Sequence, residues 1–153
     1  MMTNQQTKQD IWTACHNYIN LRIDAAKKAM DEAQEAANEE TKGSVGDKHE
    51  TGRAIMQIER DKNARLLADA LEQKQALDQI NINNKSVIVR SGSIVLTDNG
   101  NFFIGIAAGK INTGTIDVIA IASQSPLGHV MLGKQVGDAV EFNGKRYKIM
   151  EVL

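Results

Sequence analysis

The chain has 153 residues, of which 42% are hydrophobic and 24% charged, with a formal net charge of −1. This is an ordinary composition for a folded chain with a modest core, and it excludes a broadly basic surface for coating nucleic acid or membrane. The single cysteine, Cys15, excludes an intrachain disulfide and a cysteine-based zinc cage. No apolar run reaches the roughly 18 residues of a membrane span, and the opening MMTNQQTKQD lacks an apolar signal core. The expectation is a cytoplasmic protein with no membrane partner, in which the sequon Asn84-Lys85-Ser86 is a chance match.

Composition shifts at about residue 80. Residues 1–80 hold 12 of the 17 alanines but one of the nine valines, and three of the 12 glycines. Alanine favours helix and valine favours sheet, so the chain reads as a helical part, 1–80, followed by a sheet part, 81–153. The polar stretch Asn81-Ile82-Asn83-Asn84-Lys85 is the expected linker. Charge divides too, with net −3 before it and net +2 after it.

Residues 8–42 carry an amphipathic stripe through Ile11, Cys15, Tyr18 or Ile19, Arg22, Ala25 or Ala26, Ala29, Ala33 and Ala36. Steps of three and four residues mark one face of a helix. Residues 47–79 repeat the pattern through Ile55, Ile58, Lys62, Leu66, Ala70, Leu77 and Ile80. Gly43 can stop the first helix, and Asp47 stands three residues before Glu50, the spacing of a capping box. Helices of about 30 residues need tertiary support, so two joined by a short turn are expected to pair as an antiparallel coiled-coil hairpin with its tip at about 43–50.

From residue 85 the period becomes two. KSVIVR, SIVLTD, NFFIGIAA, TIDVIAIA, DAVEF and KRYKIMEV read as strands of a small, mainly antiparallel sheet. Asp98-Asn99-Gly100-Asn101 and Asn143-Gly144 suit tight hairpin turns. One short helix is expected from Ser125 to Leu132, with Ser125 as N-cap and Pro126 at the first helical position. The fold class is therefore α+β.

The segment IASQSPLGHVMLGKQVGDAVEFNGKRYKIMEV resembles the C-terminal domain of bacterial Gre transcription elongation factors. The shared frame is Ser125-Pro126, Leu132-Gly133-Lys134, Val136-Gly137-Asp138, Val140 and a closing hairpin. That family places a long coiled-coil hairpin before an FKBP-like domain, an order this chain shares in its composition. Its tip motif is Gly-Asp, two residues, then Glu, which here reads Gly46-Asp47-Lys48-His49-Glu50. The resemblance implies a factor whose hairpin enters the secondary channel of RNA polymerase. Asp47 and Glu50 would then help hold a second Mg²⁺ at the polymerase active site, near nascent RNA, while the polymerase cuts the transcript. No cofactor is implied for the isolated chain. Mg²⁺ prefers oxygen ligands, and two ions can activate water and stabilise the leaving oxygen. Ser123, Ser125, Pro126 and Leu127 are the candidate loop for docking on the channel rim, in a monomeric factor.

The tip departs from the family pattern. His49 stands where a small serine is usual, Thr51 where asparagine is, and Arg53 where an aromatic residue is common. Lys48, His49 and Arg53 make the tip less acidic, which fits a non-cleaving modulator or inhibitor of the polymerase as well as a cleavage factor. The plain reading of Asp47 and Glu50 is acidic helix capping. Cys15 and His16 are neighbours on different sides of a helix, so Cys15 reads as core and not as a metal ligand. His129 reads as surface. Two other classes remain open: an FKBP-like prolyl isomerase, for which the sheet part offers only Phe102, Phe103, Phe142 and Tyr147 as aromatic lining, and a structural dimerisation module built on the helix stripes.

Overall fold

A computed structural model describes the backbone of residues 4–42 and 46–153 and the side chains of 4–39 and 51–153. Helix α1 runs Asn4–Lys42 and helix α2 runs Gly46–Asp78. These are followed by strands β1 (Ile94–Thr97), β2 (Gly100–Gly105), β3 (Gly109–Asn112) and β4 (Asp117–Ala122), helix α3 (Pro126–Met131), and strands β5 (Ala139–Phe142) and β6 (Lys145–Val152). The molecule is thus a helical hairpin followed by a β-sheet domain, an α+β arrangement. By compactness the chain divides into residues 19–73 and the remainder, 1–18 with 74–153.

Within 19–73, α1 buries Ile19, Ile23, Ala26, Ala33 and Ala37. Steps of four and three along this stripe are the heptad spacing of paired helices. From α2 the buried residues are Asn63 and Ala70. Of the expected α2 stripe, Ala70 and Leu77 are buried, whereas Ile55, Ile58 and Leu66 are 54%, 67% and 42% exposed. Those residues mark a separate apolar face, which periodicity alone cannot distinguish from the buried one. Asn63 is tolerated inside because its Nδ2 donates to Glu59 O at 2.9 Å. Arg22 donates to Gln73 across the pair.

In the other unit the six strands form one sheet in the order β3-β4-β2-β1-β6-β5. Four neighbouring pairs are antiparallel. The exception is β2 against β4, which run parallel with Phe102 beside Ile119 and Ile104 beside Ile121. The cause is β3, which the sequence pattern does not announce. Gly109, at φ 70, starts a short strand that pairs with the outer side of β4, so β4 returns in the direction of β2. The expected strand KSVIVR makes only one isolated bridge, Ile88 to Gln135. Of its three consecutive apolar residues only Val89 is buried, while Val87 and Ile88 are exposed.

The hairpin turns follow the sequence. Asn143 and Gly144 have φ of 51° and 77°, the pair of positive values that a tight β5–β6 turn needs. Asp98 fastens the β1–β2 turn to β6, its Oδ1 accepting from Lys148 N at 2.8 Å. Between the sheet and α3 lies a core of Val89, Val95, Phe102, Ile104, Met131 and Ile149 with their neighbours. Phe102 and Tyr147 meet edge to face at 5.6 Å. Ile94 and Phe103, adjacent in register to Val95 and Phe102, alternate to the opposite face and are fully buried.

Candidate functional site

The tip carboxylates of the resemblance, Asp47 and Glu50, have side chains outside the described residues, as do His49 and Lys48. Backbone helix begins at Gly46, so both carboxylates belong to the opening turns of α2. Residues three apart in a helix share a face.

The proposed rim loop is better defined. Ser125 caps α3: its Oγ accepts from Gly128 N at 3.1 Å and donates to Ala122 O at 2.7 Å. That hydroxyl is therefore engaged in folding. Pro126 occupies the first turn of α3, as expected, and is exposed. Leu127 packs onto the core with Val130 and Leu132. Ser123 lies 2.7 Å from Ser91 through the two hydroxyls. With Ala76, Gln79, Ile80 and Gln124 it lines a crevice of about 330 Å³. Of the four candidates, Ser125 and Leu127 build the loop, whereas Ser123 and Pro126 are placed where a partner could touch them. Gly128 is forced by packing, since a Cβ there would stand 2.3 Å from Ala122 O.

The rest of the frame is also structural. Gly133, at φ 83, donates its N–H to Val89 O at 2.9 Å, and Val89 N returns a bond to Lys134 O at 2.8 Å. Gly137, at φ 94, donates to Ile149 O at 2.9 Å. Asp138 closes the preceding turn, its Oδ2 accepting from Gln135 N at 2.9 Å. Each glycine sits in the left-handed region that other residues rarely adopt. The spacing of the frame is thus the spacing of one helix stop and one turn into β5.

At the root of the hairpin Trp12 and His16 join α1 to α2. Trp12 donates Nε1–H to Leu77 O at 3.3 Å. Its ring lies against His16, with centroids 4.1 Å apart. His16 Nε2 is buried 2.9 Å from Asp78 Oδ1 without forming an aligned hydrogen bond. Cys15 is fully buried, and burial pushes its thiol up to about 12. It is an inert core residue at neutral pH. Among the described residues no cluster of three His, Cys, Asp or Glu could hold a metal ion, and no helix is long and apolar enough to cross a membrane. His129 is exposed on α3.

Sequence reasoning missed Lys8, which is only 6% exposed. Burial first, and then the nearby Arg90 charge, hold its pKa below the usual lysine value. No periodicity signals it, because a lysine on an otherwise polar stretch reads as solvated.

Comparisons with known protein families, curated proteins and solved structures found no match to the chain.

Proposed function

We propose that the chain is a Gre-like accessory factor of RNA polymerase. Its hairpin is an antiparallel coiled coil that enters the secondary channel, and its sheet domain is an FKBP-like module that docks at the rim. The observation that carries this reading is the combination of two features in one order. A helical hairpin bearing Gly46-Asp47-Lys48-His49-Glu50 at its turn precedes a sheet domain built on the Ser125-Pro126 to Asp138 frame. The heptad spacing of the buried residues in α1 supports the coiled coil.

In this reading Asp47 and Glu50 supply oxygen ligands to a Mg²⁺ shared with the polymerase. Two carboxylates make an incomplete site for Mg²⁺, so the remaining ligands come from polymerase, RNA phosphate and water. The factor itself is no enzyme; the polymerase active site cuts the RNA. The neighbours Lys48, His49 and Arg53, two of them cationic, support the non-cleaving variant of the same reading, in which the factor occupies the channel and modulates or inhibits synthesis.

A pull-down with purified polymerase followed by a cleavage assay on a backtracked complex tests both. Wild-type chain is expected to bind and to stimulate Mg²⁺-dependent cleavage. Asp47→Ala with Glu50→Ala should abolish stimulation while keeping binding and the circular dichroism spectrum, since a lost cap costs only about 1 kcal/mol. Binding without stimulation in the wild type selects the modulator. Absence of binding rejects the polymerase reading.

The exposed apolar face of α2 favours a second reading, a dimerisation module that pairs through Ile55, Ile58 and Leu66. Light scattering separates them: a monomer supports the channel factor, a concentration-dependent dimer the module.

A further inference from the structure

Asparagine followed by glycine occurs twice in the chain, as Asn99-Gly100 and Asn143-Gly144. In this dipeptide the backbone nitrogen of glycine can attack the side-chain carbonyl carbon of asparagine, because glycine has no Cβ to shield it. Each pair sits at a β-hairpin turn, but the two are held differently.

Asn99 is fastened. Its N–H donates to Thr97 Oγ1 at 3.0 Å, and its Nδ2 donates to Arg146 O at 3.4 Å. Gly100 is already the first residue of β2, paired in register with Thr97, and its carbonyl accepts from Thr97 Oγ1 at 2.6 Å. Asp98 anchors the same turn to β6 through Lys148 N. Swinging the Asn99 side chain onto Gly100 N works against all of these bonds.

Asn143 and Gly144 instead make up the whole β5–β6 turn, beyond the last strand pair, Phe142 with Lys145. Both are exposed. Neither the Asn143 amide nor Gly144 N has a hydrogen-bond partner among the described residues. A Cβ placed on Gly144 would meet nothing within 4 Å, so no other segment roofs the turn. Strand β5 is also an edge of the sheet, and exposed turns with few bonds open most readily.

We propose that Asn143-Gly144 is a site of spontaneous deamidation, whereas Asn99-Gly100 is protected by the fold. Gly144 N gives its proton to solvent and bonds to Asn143 Cγ. The Cγ–Nδ2 bond breaks, and the amide nitrogen takes up a proton and leaves as ammonia. Water then opens the resulting succinimide ring at one of its two carbonyl carbons. Cleavage at Cγ gives aspartate, and cleavage at the main-chain carbonyl gives isoaspartate. Either product sets a carboxylate beside Lys145 and Arg146. Isoaspartate also adds a methylene to the main chain, so the tight turn with its two positive φ values is lost and β5 loosens from β6 at that end. The site is separate from the tip and from the rim loop, and it stands or falls independently of the polymerase reading.

The test is peptide mapping by mass spectrometry of the full-length protein aged in mildly alkaline buffer, beside a sample aged in denaturant. In the unfolded chain the two Asn-Gly pairs are expected to convert at similar rates. In the folded protein Asn143 should convert several-fold faster than Asn99, to a mixture of aspartate and isoaspartate, with a new acidic species on ion exchange. Asn143→Gln lengthens the side chain and should remove the species that maps to this turn; the wild-type map carries the test should that variant fold poorly. Equal rates at the two sites in the folded protein, a faster Asn99, or an unchanged Asn143 over a period in which the unfolded chain converts would overturn the site.

Discussion

The sheet domain and the helical hairpin use their distinctive residues in different ways. In the sheet domain the residues that define the frame are engaged with one another: Ser125 caps a helix, Gly128 makes room for a carbonyl, and Gly133, Gly137 and Asp138 shape turns. In the hairpin segment 19–73 the buried stripe of α1 ends in alanines, and nothing in it dictates more than a close approach of helices. The difference teaches where a motif reports fold and where it reports function. A frame wholly occupied with folding predicts a domain shape. Asp47 and Glu50 stand at capping-box spacing, so their functional role is the proposal that the double substitution tests.

The largest effect that would break this contrast is in the sheet domain. Phe103 is fully buried on β2, and Phe103→Ala should cost about 3–5 kcal/mol, read as a drop in denaturation midpoint. A much smaller loss would mean that the face opposite α3 is loosely packed, and that the sheet domain resembles the thin alanine seam more than the contrast allows.

A smaller effect sharpens the claim that the frame is structural. Gly128→Ala sets a methyl 2.3 Å from Ala122 O, a contact with backbone and not with a side chain that could swing away. The expected loss is about 1–3 kcal/mol of stability, with Ser125→Ala next at about 1 kcal/mol from the lost cap. If either variant kept full stability and instead lost only partner binding, the frame would be functional after all.

Much of this was legible in the sequence, for reasons that differ along the chain. Both long helices, the Ser125 cap with Pro126 after it, and the Asn143-Gly144 turn were readable because each rests on local chemistry. Strand β3 was not, since GKIN is short and its partner β4 is set by topology. KSVIVR misled because a short apolar run looks the same whether a strand finds neighbours or, as here, makes one bridge. Of the rim candidates, Ser125 caps α3 and Leu127 packs on the core, roles that local sequence chemistry gives only for Ser125. Lys8 could not be found, because its burial is decided by the distant residue Asn84 and by the chain that folds over it.

The smallest expected effect tests the hairpin side of the contrast. The helical stripe read from periodicity put Leu66 in the seam, where Leu66→Asp would bury a charge and unfold the pair. The structure puts Leu66 at 42% exposed, at the mouth of a crevice with Arg22, Ala25 and Ala29. An aspartate there keeps its water and has the Arg22 side of the crevice as its neighbour. The expected change is therefore under about 1 kcal/mol, within the range of ordinary surface substitutions. Ala70, fully buried one turn further along α2, is the control: Ala70→Asp must desolvate its carboxylate and should lower helicity and midpoint together. Should Leu66→Asp prove as damaging as Ala70→Asp, the α2 face that pairs with α1 is the one read from periodicity. Should Leu66→Asp instead leave stability intact but turn a dimer into a monomer in light scattering, the exposed face of α2 is an interface between chains, and the seam is where the structure puts it.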